Sequence, residues 1–101
     1  MMVKEVLTYL DNLHPATALP FTLSDPHCDR GSYRDVAFAL TNEPSTVAEV
    51  RAVVASVIGK TYYGWKGGDF TMDEWSDCCI GPDYGEVGEP ITQLWLDAVT
   101  R

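Results

Sequence analysis

VAFALTNEPSTVAEVRAVVASVIG, residues 36–59, decides the fold. Its first six residues alternate, with Val36, Phe38 and Leu40 on one side and Ala37 and Ala39 on the other, the period-two pattern of a strand. The small residues on the second side leave room for a helix to approach closely. After Pro44 the period changes. Thr46 and Glu49 form a T-x-x-E capping box, with Ser45 as a competing cap. Val47, Val50, Val54 and Ile58 then recur at helical spacing, Val53 and Val57 widen the stripe, and Gly59 supplies a stop. The β-branched content lowers helix propensity, so burial on a sheet has to compensate.

Toward the N-terminus, Val3, Val6, Leu7, Leu10 and Leu13 form a second helical stripe that ends at Pro15. Leu19, Phe21 and Leu23 alternate with Pro20, Thr22 and Ser24 as a strand, and Pro20 places it at a sheet edge or a strand start. Residues 24–33 read as a polar loop with Pro26 and Gly31 as turn signals, which makes a long-looped hairpin with residues 36–41. Toward the C-terminus, residues 70–72 and 78–80 read as short strands and residues 83–90 as a loop. The tail, residues 91–99, fits a helical face through Ile91, Leu94, Trp95 and Val99 and also a strand through Leu94 and Leu96; Pro90 and the glycine-rich approach favour a sheet-closing strand. The expected architecture is a single α+β domain over residues 1–101, in the order α-β-β-α-β-β, with two helices on one face of a small, largely antiparallel sheet.

The 101 residues include 7 Lys and Arg against 15 Asp and Glu, a net charge of −8. That balance repels nucleic acid at long range and argues against general DNA or RNA binding unless the few basic residues gather on one face. From Asp69 to Asp97 there are eight carboxylates and no Lys or Arg. Such a stretch suits a basic groove on a protein, where it mimics a phosphate backbone. The candidate protein-binding residues are therefore Asp69, Asp73, Glu74, Asp77, Asp83, Glu86 and Glu89; the alternative is a solvated acidic face.

Four of the seven basic residues lie in two glycine- and aromatic-containing segments, residues 30–34 and 60–68. Arg30, Arg34, Lys60 and Lys66 could hold phosphate while Tyr33, Tyr63 or Trp65 stacks on a base, a pattern that suits a small nucleotide. The alternative is that the aromatics pack a core and the cations pair with Asp29, Asp35 and Asp69.

Other chemistry is poorly represented. Gly59-Lys60-Thr61 looks like the end of a phosphate-binding loop, but Val54 stands where the first glycine belongs and a helix ends there instead of starting. His27, Cys28, Cys78 and Cys79 lack the paired spacing of a zinc site, and adjacent cysteines on a strand point to opposite faces. Two histidines and no G-x-S-x-G leave no catalytic constellation, so neither enzyme activity, a metal nor a cofactor is expected. Three cysteines, two of them adjacent, do not make a secreted disulfide scaffold. With no signal peptide and no membrane-length apolar run, the expected compartment is a reducing cytoplasm.

The run Ile58-Gly59-Lys60-Thr61-Tyr62-Tyr63-Gly64-Trp65-Lys66-Gly67-Gly68-Asp69-Phe70-Thr71-Met72 resembles one found in a group of small phage and prophage proteins of unknown function. Arg30-Gly31-Ser32-Tyr33-Arg34-Asp35-Val36-Ala37-Phe38 is similar to that group's second segment, and the resemblance extends from about Val3 to Pro90. It implies a phage setting, in the cytoplasm of an infected bacterium, and carries no role over to Asp73-Glu74-Trp75 or the vicinal cysteines. The functional expectation is an anti-defence inhibitor, anti-CRISPR-like, that binds a basic protein surface as an acidic DNA mimic. The alternatives are a nucleotide binder that soaks up a defence signal, and a structural or morphogenesis factor. Neither a membrane nor direct nucleic acid is an expected partner; the tail around Trp95 suits a core strand or a homo-oligomer contact.

Overall fold

A computed structural model describes residues 1–32, 34–64, 67–81 and 87–100. The chain is α+β, with mostly antiparallel pairing among the described residues and three helices where two are expected. Helix α1 spans Val3–Asp11 and buries Val3, Val6 and Leu10, the expected stripe. Strands β1 (Ala18–Leu19), β2 (Thr22–Cys28), β3 (Val36–Thr41) and β4 (Ser45–Thr46) precede helix α2, Val47–Ala55. Strands β5 (Thr61–Tyr63), β6 (Asp69–Thr71), β7 (Cys78–Ile80) and β8 (Glu89–Pro90) follow, and helix α3 covers Gln93–Val99.

The main sheet has the order β2-β3-β7-β8. Its central pair, β3 and β7, is parallel, with Val36 opposite Cys78 and Phe38 opposite Ile80; the flanking pairs are antiparallel. A parallel pair needs a crossover, and α2 with the β5–β6 hairpin supplies it. The register puts Leu23, Val36, Phe38 and Cys78 on one face, where they share a core with Val6 and Leu10 of α1 and Val50 and Val54 of α2. Helices thus cover the large-residue face. Ala37, on the other face, is buried against Gly81, not against a helix as its small size suggested.

Helix α2 begins as its capping box dictates: the Thr46 hydroxyl accepts from the Glu49 backbone N–H at 3.2 Å. Its last turn loosens after Ala55, and Gly59 then takes a φ of +80°, where a side chain would be strained. In the glycine-rich run, Gly67 and Gly68 also have positive φ and Gly64 donates to the Gly68 carbonyl at 2.7 Å. Those glycines turn the chain between β5 and β6.

Two expectations are corrected. Residues 24–28 continue β2 instead of forming a loop; a register shift between Ser24 and His27, with Asp25 at φ 51°, accommodates Pro26 in an edge strand. The tail is a helix, not a strand. The Thr92 hydroxyl caps it by accepting from the Trp95 N–H at 3.1 Å, Leu96 is buried, and Trp95 meets Phe21 edge-on with centroids 5.8 Å apart. The order α-β-β-α-β-β with two helices therefore gives way, among the described residues, to three helices and one parallel strand pair. No helix among the described residues is long and apolar enough to cross a membrane.

Candidate functional site

Strands β3 and β7 are each preceded by an aspartate, Asp35 before Val36 and Asp77 before Cys78. Because the strands are parallel and in register, alternation sends Asp35 and Asp77 to the face opposite the core, side by side. The Val36 N–H donates to the Asp77 carbonyl at 2.8 Å and locks this level of the pair. On the other flank, the Asp29 N–H donates to the Asp35 carbonyl at 2.9 Å. Three neighbouring segments thus bring Asp29, Asp35 and Asp77 to one end of the sheet.

A cavity of about 290 Å³ lies there, lined by Ser32, Arg34, Asp35, Phe70, Asp73, Trp75, Ser76 and Asp77. A tight turn presents its acidic rim. The Asp73 carboxylate accepts from the Trp75 N–H at 2.8 Å, and the Ser76 hydroxyl accepts from the Asp73 N–H at 3.1 Å. The Trp75 ring is 58% exposed, and the Lys4 ammonium sits 3.5 Å from its centroid. Among the described residues the lining holds three carboxylates against one guanidinium. Burial, then the charges of Asp77 and Asp29, push the Asp35 carboxyl above its usual range.

Behind Asp35 lie Asp29 and Cys79. Asp29 is buried and its two oxygens accept from the N–H groups of Gly31 (3.0 Å) and Gly88 (2.6 Å). Burial and the nearby carboxylates push the Cys79 thiol up to about 12; Cys78, on the core face, is pushed up to about 12 as well, chiefly by burial.

Of the acidic candidates, Asp73 and Asp77 line the cavity and Glu74 is exposed in the turn between them. Asp69, on β6, and Glu89, on β8, are exposed and do not line it; Asp83 and Glu86 lie outside the described residues. Asp97, the last carboxylate of the acidic third, accepts from the Tyr9 hydroxyl at 2.7 Å and ties α3 to α1. Of the basic and aromatic candidates, Arg34 lines the acidic cavity, whereas Arg30 and Lys60 are exposed and do not. Tyr63 is 76% exposed on β5 and does not line the cavity; Tyr33, Trp65 and Lys66 lie outside the described residues. Reading by charge and spacing missed Asp29, Asp35 and Trp75. The signal was there: Asp35-x-Ala37 and Asp77-x-Cys79 place each carboxylate on the small-residue face of its strand. Comparison with protein-family models, curated proteins and solved structures finds no match to this chain.

Proposed function

We propose that the chain binds a basic protein surface through the end of the sheet that carries Asp35, Asp73 and Asp77, and that it acts as a phage-type inhibitor by occupying a nucleic-acid groove of a host defence complex. The observation that carries this reading is the cavity itself, in which three carboxylates and the exposed Trp75 ring converge. A guanidinium or ammonium suits that lining: each carboxylate at 4 Å contributes about 4 kcal/mol of Coulomb attraction at an effective dielectric of about 20, before desolvation. The ring face favours the same sign of charge, and Lys4 already uses it. The phage setting rests on the resemblance of residues 30–38 and 58–72. The nucleotide reading is less well served, because a phosphate brought to Arg34 meets Asp35, Asp73 and Asp77 in the same lining.

The reading is tested by capture on the immobilised chain from lysate of a defence-competent bacterium, at low and at high salt. Native mass spectrometry and absorbance at 260 nm identify what is retained. A stoichiometric protein partner released by salt is expected, because exposed charge pairs are screened. A small ligand absorbing at 260 nm without any protein would transfer the assignment to a nucleotide.

A further inference from the structure

The strongest unassigned chemistry lies on the face of the main sheet away from the helices. Asp29, Asp35 and Cys79 each place one ligand atom so that all three lie within 4.8 Å of one another. They come from the end of β2, the approach to β3 and the middle of β7, so the sheet itself fixes their spacing. Cys79 is only 4% exposed, and among the described residues its thiol has no hydrogen-bond partner although it is aimed at two carboxylates. A buried thiol facing carboxylates is poorly served by solvation or packing alone.

We propose that Asp29, Asp35 and Cys79 form a binding site for one divalent cation of the zinc class. A thiolate selects a borderline-soft metal over magnesium or calcium, which take oxygen ligands. Tetrahedral coordination with bonds of about 2.0–2.3 Å puts ligand atoms roughly 3.3–3.8 Å apart, so the three groups close in by about an ångström on binding. Metal binding replaces the Cys79 S–H bond with an S–metal bond and releases the proton to solvent. Asp35 also lines the cavity at this end of the sheet, so one of the three ligands is reached from solvent.

The surroundings suit such a site. The N–H groups of Gly31 and Gly88 hold the Asp29 carboxylate, leaving each oxygen a lone pair for a metal, as backbone donors orient ligands in established sites. Both glycines make room for it: a Cβ on either one would stand 3.0 Å from an Asp29 carboxylate oxygen. Cys28 and Cys78 lie on the opposite, core-facing side, so the vicinal pair does not act together.

The test is titration of Co²⁺, then Zn²⁺, into the full chain after chelator treatment and under a non-coordinating reductant. The expected result is one equivalent of Co²⁺ per chain, with a near-ultraviolet thiolate-to-cobalt charge-transfer band that Zn²⁺ abolishes. Cys79→Ser removes the band, and Asp35→Asn weakens affinity at least tenfold. Glu43→Gln, an exposed carboxylate elsewhere, and Cys28→Ala leave both unchanged. Far-ultraviolet circular dichroism checks that each variant folds; should Cys79→Ser not fold, the half-buried Asp35→Asn decides. No charge-transfer band, a band that survives in folded Cys79→Ser, or unchanged affinity in Asp35→Asn would overturn the site. Salt-released capture of a protein by the metal-free chain reads the cavity alone, so the two proposals fail separately.

Discussion

Asp35 and Asp77 stand beside each other at the start of two parallel strands, joined through the 2.8 Å bond from the Val36 N–H to the Asp77 carbonyl. Their side chains carry like charge where the backbone forces them together, and the Asp35 carboxyl is raised above its ordinary 3.8, first by burial and then by Asp77 and Asp29. A protein that keeps such a pair sacrifices stability there, a pattern typical of binding sites.

Asp35→Asn is therefore expected to stabilise the metal-free chain at neutral pH. The folded-state carboxyl titrates above its unfolded value, so the wild type loses stability as pH rises from about 4 through the raised folded value. The gap between variant and wild type is full at pH 7 and closes below about pH 4. Asp35 is half-buried and reached by solvent, so screening keeps the gain small, a rise of at most a few degrees in Tm. Thermal melts of both chains from pH 3 to pH 8 measure it. A variant less stable than the wild type at pH 7 would contradict the repulsion.

Charge reversal of the rim acts on binding instead. Asp73 and Asp77 are exposed, and the Asp73→Lys, Asp77→Lys double variant is expected to keep its fold while losing at least tenfold in affinity for the captured partner, about 1.4 kcal/mol. Reversing Asp69 and Glu89, which do not line the cavity, is expected to cost less than threefold. Surface plasmon resonance with the identified partner compares the two pairs, and equal losses would reduce the acidic third to a diffuse field.

Gly88 makes a close approach that no other residue fits. A Cβ there would lie 2.9 Å from the Ile80 carbonyl oxygen and 3.0 Å from both an Asp29 carboxylate oxygen and the Cys79 Cβ. Two of those neighbours cannot swing aside, so Gly88→Ala is expected to cost about 1–3 kcal/mol by overpacking. Urea denaturation measures it, and a neutral substitution would mean that β8 sits farther from β7 than described.

Legibility tracked how local each signal was. Helices α1 and α2 and strands β3 and β7 declare themselves through stripes, a capping box and alternation within a few residues. Helix α3 was obscured because Pro90 and Gly88 suit a strand, while its Thr92 cap is a weaker cue. Pro26 hid the second half of β2, since proline inside a strand needs a bulge that pairing alone reveals. The site was least legible. Asp73 and Asp77 emerge from charge distribution, but Asp35 joins them only through the parallel β3–β7 pairing, across about forty residues of sequence. Asp29 and Cys79 meet by the same register: opposite faces for the two cysteines are legible from their adjacency, but the carboxylates across from Cys79 are not.

The most direct test of the central claim is a ¹H–¹⁵N correlation titration of the labelled chain with an arginine-rich peptide at low salt. The account predicts saturable shifts concentrated at Ser32, Asp73, Ser76, Asp77 and the Trp75 indole, reversed by salt and absent in the Asp73→Lys, Asp77→Lys variant. Shifts spread evenly over the acidic surface, or centred on Tyr63 and Lys60 instead, would contradict it.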